Sequence, residues 1–378
     1  MKRKTVIATL AGAALASAVV VASPASAAEP PIPASPFPVV ARGLNNPRGI
    51  AIDSAGNIYV AEAGRGGRGH CVSDPEGGDA CLGFTGAITK VTAGGQQSRL
   101  TVGLPSLAGT DGSAASGPSD VAVNPDGNLT VVMQGVGTPA DRKSLGASAS
   151  AFGHLLGVSS TGKVLGAGAD LTAFEAAANP DGGAIDSDPY AITIAGSTVY
   201  VAEAAGNFVA SVGNGGGPIK VQAVFPTRPE DAPADLGLPA GTKIPMESVP
   251  NALATGPDGS VYVGELTGFP FVSGEARVFK LVPGGEPKVV ATGFTNIIDV
   301  AVGPDGTMYV LEIAKNGLLA EGLPVGQLTK VAPDGTKTMI ASDGLIAPAG
   351  LALGADGYLY VSNKGILPGI GEVVKIKA

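Results

Sequence analysis

Six oxygen-bearing side chains occupy one recurring place in this sequence. Glu62, Gln134, Glu203, Glu265, Glu312 and Asn363 each close a short apolar run such as Ile58-Tyr59-Val60-Ala61. Four carboxylates and two amides gathered round one axis would form a hard-oxygen site, with Glu62, Glu203, Glu265 and Glu312 as ligands to a cation. Calcium suits such a set better than zinc, because no donor in it is soft. The competing reading, favoured on the residues alone, is that each Glu accepts backbone N–H groups from its own loop, since buried carboxylates commonly have local partners. Asp120 and Asp299 stand just before another recurring run and are expected nearer the axis. Asn179-Pro180-Asp181-Gly182-Gly183, with Asp186 and Asp188, is a second oxygen-rich segment, equally readable as a turn closed by side-chain-to-backbone bonds.

Other chemistry is sparse. The two histidines, His70 and His154, give a hydrolytic triad little to draw on, and no G-x-S-x-G elbow is present. Gly64-Arg65-Gly66-Gly67-Arg68-Gly69 matches the dinucleotide spacing G-x-G-x-x-G, but no helix is expected after it, so it reads as a flexible Arg-bearing loop. Without tryptophan, an aromatic platform for sugars or cations is poorly supplied. Asn128-Leu129-Thr130 is a formal glycosylation sequon beside a turn. No catalytic residue is named from the sequence, and binding is favoured over catalysis.

The elements that hold the six polar positions repeat. A first strand begins at Pro47, Pro118, Pro189, Pro250, Ile297 and Pro348. Tight turns follow, such as Pro125-Asp126-Gly127 and Pro304-Asp305-Gly306, in which Pro presets φ and Gly accepts the positive φ of a turn. A second strand then alternates β-branched and aromatic residues, as in Val261-Tyr262-Val263 and Met308-Tyr309-Val310. Four short antiparallel strands per repeat make an all-β, six-bladed propeller. The last repeat stops at Ala378 with three strands. The missing one is expected at the other end, where Val39-Val40-Ala41-Arg42-Gly43-Leu44 resembles Val289-Val290-Ala291-Thr292-Gly293-Phe294. The N-terminal strand should therefore close the ring.

In such a ring the first-to-second and third-to-fourth turns share one face, and here they are minimal. The opposite face carries the insertions 62–85, 134–153, 169–188, 228–249, 266–275, 313–326 and 364–371. Function concentrates on loops held by a scaffold, so this face is the expected working surface, for a small molecule or a protein.

Residues 1–28 read as a signal peptide: Lys2, Arg3 and Lys4, an apolar stretch from Val6 to Val21, and the small-x-small site Ala25-Ser26-Ala27. Residues 29–36 read as a proline-rich leader and 37–378 as the single propeller domain. The formal charge of −8 would become −11 without the three basic residues of the signal, which disfavours nucleic acid and anionic membranes as partners. No membrane span and no obligate partner subunit are expected. In an exported chain Cys71 and Cys81, with nine residues between them, read as one disulfide.

Asn46-Pro47-Arg48-Gly49, Gly117-Pro118-Ser119-Asp120-Val121, Asn179-Pro180-Asp181-Gly182-Gly183, Gly264-Glu265-Leu266-Thr267-Gly268-Phe269-Pro270-Phe271 and Ala291-Thr292-Gly293-Phe294-Thr295-Asn296-Ile297-Ile298-Asp299 resemble the ScyD/ScyE family of exported bacterial proteins. The resemblance spans the chain after the signal and implies an auxiliary extracytoplasmic role in a small-molecule pathway. A broader likeness is to NHL-type and gluconolactonase-type propellers, which implies as the alternative a calcium-assisted enzyme of the lactonase or hydrolase kind. In the lactonase type, acids and amides just before the first strand of each blade hold the metal. Here those positions are Arg48, Ser119, Tyr190, Asn251, Ile298 and Ala349, and only Asn251 fits. Sugar dehydrogenases with a quinone cofactor share the strand pattern but rely on a catalytic histidine.

Overall fold

The computed structural model describes residues 32–74, 78–282 and 286–378; the expected signal peptide and the first residues of the leader lie outside these. Six antiparallel blades are present. Their innermost strands, A, are Pro47–Ile52, Pro118–Val123, Pro189–Ala195, Pro250–Thr255, Ile297–Val302 and Gly350–Leu353. Each A strand contacts the A strands of the blades on either side, and blade 6 contacts blade 1, so the ring is closed. Strands B are Ile58–Glu62, Leu129–Met133, Thr198–Glu203, Val261–Glu265, Met308–Glu312 and Tyr358–Asn363. Strands C are Gly78–Val91, His154–Val158, Phe208–Gly213, Ala276–Leu281, Gln327–Val331 and Pro368–Lys377. Strands D of blades 1 to 5 are Gln97–Gly109, Val164–Asp170, Lys220–Val224, Lys288–Phe294 and Lys337–Ala341.

The fourth strand of blade 6 is the N-terminal Val39–Asn45, paired antiparallel with Pro368–Lys377. This is the closure expected from the sequence. Leu44 and Ala41 seal the seam by packing with Val373 of the same blade against Ile50 and Val60 of blade 1.

The A–B turns form as their residues dictate. Gly127, Gly259, Gly306 and Gly357 have φ of +80°, +77°, +82° and +76°, which a side chain would oppose. Strand B Tyr59, Tyr262 and Tyr309 lie opposite strand C Lys90, Lys280 and Lys330, which sit 5.1, 5.4 and 5.8 Å from the ring centres. Apolar side chains fill the spaces between blades. Leu129 and Val131 pack with Ile88 and Leu104, and Val132 and Leu155 with Val201 and Phe208.

The insertions on the elaborated face are not bare loops. Cys71–Asp74 pairs with Gly78–Val91, and the Cys71–Cys81 disulfide spans that pair. Arg228–Asp231 pairs with Lys243–Met246. Pro139–Ser144 and Leu171–Ala178 are helices. The first is set by a reciprocal cap between Thr138 and Asp141. Leu82, Leu107, Leu145, Ala149 and Phe152 bury against one another, so the first two insertions share a small core of their own. Among the described residues no helix is long and apolar enough to cross a membrane.

Deleting the chain through Leu44 should expose two sheet edges and lower the melting temperature, and Leu44→Ala alone should cost about 2–5 kcal/mol. Thermal and urea unfolding of the two variants checks this; unchanged midpoints would contradict the closure.

Candidate functional site

The strand B carboxylates face their own blades. Glu62, fully buried, accepts the Asn45 N–H at 2.7 Å, the Thr89 hydroxyl at 2.5 Å and two N–H groups of Arg99. Glu265 accepts the Ser248 hydroxyl at 2.7 Å and the Arg277 guanidinium at 2.7 and 2.8 Å. Glu312 accepts the Thr295 N–H at 2.6 Å and the Gln327 amide at 3.0 Å. Glu203 accepts the backbone N–H groups of Asp188 and Gly206. Asn363 accepts the Ile346 N–H at 2.7 Å. In each of these five blades the partner lies in the connection that enters strand A. In four of them the connection is strained: Asn46, Val249 and Asn296, each just before strand A, and Ala347, three residues before it, have φ of +48°, +52°, +51° and +40°. The side chain at the end of strand B thus pins a left-handed corner. Gln134 departs from the pattern and donates instead to Asp188 at 3.3 Å. Among the described residues no three Asp, Glu, His or Cys side chains stand close enough together to chelate a metal as placed.

Asp120 and Asp299 lie within strand A rather than before it, because the strand begins at Pro118 and Ile297. Each bridges to the next blade: Asp120 accepts the Ile192 N–H at 2.9 Å and Asp299 the Leu351 N–H at 2.6 Å. Burial raises Asp120 to about 7 and drives Asp299 well above the usual carboxylate range, with the Asp120 charge adding to the latter.

The second residue of strand A is buried in blades 1 to 5, where it is Arg48, Ser119, Tyr190, Asn251 and Ile298; the equivalent Ala349 of the last blade, just before its strand A, is buried as well. Here the polar accounting fails to close. Arg48 donates through Nη2 to the Ala115 carbonyl at 2.9 Å, but its Nε and Nη1 have no partner. The Tyr190 hydroxyl, both amide atoms of Asn251 and the Gln134 Oε1 also have none. Leaving such groups unpaired in a buried place costs about 1–3 kcal/mol each. Asp188 joins them. It receives the Gln134 amide and the Gly135 N–H, both at 3.3 Å. Burial raises Asp188 to about 7; nearby Asp186 adds to the rise, and the Gln134 hydrogen bond and Arg48 charge oppose it. Gly135 permits this approach, since a Cβ there would stand 1.8 Å from the Ser187 carbonyl oxygen. The charges of Arg48, Asp188, Asp299 and Asp120 all act on Tyr190, which places these groups in one neighbourhood.

The histidines lie elsewhere. His154 is 3.3 Å from Asp170, which Arg142 also holds at 2.7 Å. Gly64–Gly69 leads into no helix and lies along the blade 1 hairpin, with Gly67 and Gly69 donating to the carbonyls of Cys81 and Leu82. A hollow of about 520 Å³ lies at the ring seam between Ala34, Phe37, Arg42, Ile370 and Glu372, away from the axis. Of the residues singled out by sequence, Gln134, Asp120 and Asp299 therefore come near the axial polar group; Glu62, Glu265, Glu312 and Asn363 do not. The residues missed are Arg48, Asp188 and Tyr190 as a group. The available signal was the set of polar residues at the second position of an apolar strand.

No family model and no curated protein matches the chain. Solved structures do match at low identity. A gluconolactonase from Xanthomonas campestris is 11% identical, with 89% of this chain and 88% of that chain covered and a TM-score of 0.50. A PQQ-bound aldose sugar dehydrogenase from Streptomyces coelicolor is 12% identical, covering 92% and 99%, at 0.52. The calcium-binding protein regucalcin from Agrobacterium tumefaciens is 12% identical, covering 92% and 97%, at 0.50. At these identities the likeness establishes the propeller fold.

Two outcomes follow from this geometry. Glu265→Ala leaves Arg277 and Ser248 without their acceptor and should destabilise the protein by about 3–5 kcal/mol in urea unfolding. Asp188 binds its proton more tightly folded than unfolded, so its contribution to stability is greatest below pH 4 and is lost as pH rises from about 4 to about 7. Asp188→Asn should flatten that part of the curve of melting temperature against pH; an unchanged slope would contradict the assignment.

Proposed function

We propose that this propeller is an enzyme acting on a small, oxygen-rich molecule at its axis, beneath the elaborated face, by metal-free general acid–base chemistry of the lactone-hydrolysing kind. The observation that carries the reading is the unpaired polar group at the axis, with a carboxyl raised to about 7 beside it. Unpaired buried donors and acceptors are what a polar ligand would satisfy. A carboxyl with that pKa is half ionised near neutrality, where a general base works best. Asp188 would draw a proton from a water, oriented by Gln134, as that water adds to the lactone carbonyl, and would return the proton to the ring oxygen as its bond to the carbonyl carbon breaks. Arg48 Nε and Nη1 and the Tyr190 hydroxyl would donate to oxygen as negative charge develops on a carbonyl, and Asn251 would hold the ring of the substrate. The axial residues are 0–5% exposed, so the substrate must be small and the insertions above it must part for entry.

The named solved neighbours that act on sugar lactones and aldoses favour a catalytic reading over a pure binding module. Calcium and PQQ do not fit this axis. A cation there would face the Arg48 guanidinium with Asn251 as the single amide at a second strand A position. A quinone dehydrogenase would need a histidine, and His154 is held by Asp170 and Arg142 away from the axis. The ScyD/ScyE resemblance, the disulfide and the expected signal support export and a place in an extracytoplasmic small-molecule pathway.

A panel of five- and six-membered aldonolactones, assayed by acid release, tests the reading. The chain should hydrolyse at least one above background, with a rate rising through about pH 7. Asp188→Asn should lose about 10²–10⁴-fold in kcat, and Arg48→Met should act mainly on KM. Saturable binding without turnover across the panel would restore the binding-module reading.

A further inference from the structure

Glu175 is the most anomalous carboxylate among the described residues. It lies on the helix Leu171–Ala178, is fully buried, and neither of its oxygens has a hydrogen-bond partner. The strand B glutamates just described are equally buried, yet each is supplied with N–H or O–H donors. On the next connection, between blades 3 and 4, Glu247 Oε2 is also buried without a partner. Two further carboxylates, Asp181 and Asp186, lie in the segment after the helix and act electrostatically on both glutamates. None of the four is in an ion pair among the described residues, so the cluster carries up to four negative charges with no cationic side chain against them.

The surrounding structure holds this group together. Gly206 lies between Glu175 and Glu203: a Cβ there would come within 2.9 Å of an oxygen of each. Asn207 donates to Asp181 Oδ2 at 3.0 Å and accepts the Val249 N–H at 3.0 Å, which ties the Asp181 turn to the Glu247 connection. Thr267, fully buried and at φ +68°, has an unpartnered hydroxyl, and its neighbour Gly268 donates to the Glu247 carbonyl. Asp181, Asp186 and Glu247 are half-buried, so the site faces solvent with Glu175 as its floor.

We infer that Glu175, Asp181, Asp186 and Glu247 form a divalent-cation site at the connections that enter and leave blade 3, with Thr267 as a further oxygen, distinct from the axial group. The ligands are all hard oxygens on two irregular connections, which fits calcium and its tolerance of irregular, partly hydrated shells better than zinc. As placed, no three of these carboxylates stand close enough to chelate together, so binding requires their two connections to draw in around the ion. Burial, then Asp181 and Asp186, raise both Glu175 and Glu247 to about 7. Uptake of the cation near pH 6.5 therefore displaces protons. The acidic neighbours of the four are Glu203, which interacts with Glu175, and Asp141, which acts on Asp186.

Calorimetric titration of the EDTA-treated full chain with calcium chloride, in two buffers of different ionisation enthalpy, tests the inference, with melting temperature as a second readout. One saturable site, proton release and a rise in melting temperature are expected. Glu175→Gln and Glu247→Gln should each weaken calcium at least tenfold. Glu175→Gln should also melt at or above the metal-free wild type at pH 8, because a buried repulsive charge is gone. Glu247→Gln, on the solvent side, serves if Glu175→Gln fails to fold. No saturable heat in the wild type, or a calcium response that survives in every folded variant, overturns the inference. So does a response lost only in Glu62→Gln, which would move the ion to the strand B glutamates.

Discussion

A short hydrogen bond from the connection entering strand A to the polar side chain ending strand B is the constraint on which the rest depends. It satisfies a backbone or hydroxyl donor that has no strand partner, and it holds a corner whose φ is positive at residues as unsuited to it as Val249. The corner decides where strand A begins, and strand A lines the axis. With the left-handed corner pinned in four blades, the second residue of strand A falls at the axis, and the third reaches the neighbouring blade, as Asp120 and Asp299 do. A buried carboxylate is costly unless its lone pairs are filled. Arg99, Arg277 and Gln327 supply the remaining donors and so tie strands C and D to the same point.

The blade that breaks the rule is informative. Gln134 reaches across to Asp188 instead of serving only its own connection, and Asp188 in turn donates its backbone N–H to Glu203. Blades 2 and 3 are therefore joined through a polar chain at the axial end of the elaborated face. On one side of that chain stand Arg48, Tyr190 and Asn251 with their unpartnered polar atoms. On the other stands the acidic group around Glu175, linked through Glu203. Asp188 and Glu203, whose burial opposes ionisation, stand between the two groups.

Much of this was legible in the chain. The turn residues, the alternation in strand B and the absent last strand after Gly371-Glu372-Val373 determine six blades and their closure, because each is a local rule with a local cause. The recurrence of Glu62, Glu203, Glu265 and Glu312 was equally visible, and so was the possibility that each serves its own loop. What repetition could not reveal was direction. The same spacing would result if the carboxylates met at the axis or if they turned to their own connections; side-chain partners such as Asn45 and Thr295, one strand inward, decide it. The insertions hid their structure for a different reason. The helix Leu171–Ala178 is short, and its one acidic residue, Glu175, looks like a solvent-facing charge until the blade 3 corner at Gly206 is placed over it.

The most direct measurement is a crystal structure of the full chain, purified without added ligand, read at the axis for what lies against Arg48 Nη1, the Tyr190 hydroxyl and the Asn251 amide. Buried waters satisfy polar groups in many proteins, so their presence alone is the ordinary outcome. The axial-site reading predicts density for a small oxygen-rich molecule, or for its hydrolysed acid after a lactone soak, bridging Arg48 and Tyr190 with Asp188 beside it. A soak that leaves only ordered water on those three groups, while the lactone or acid appears elsewhere on the elaborated face or not at all, would contradict it.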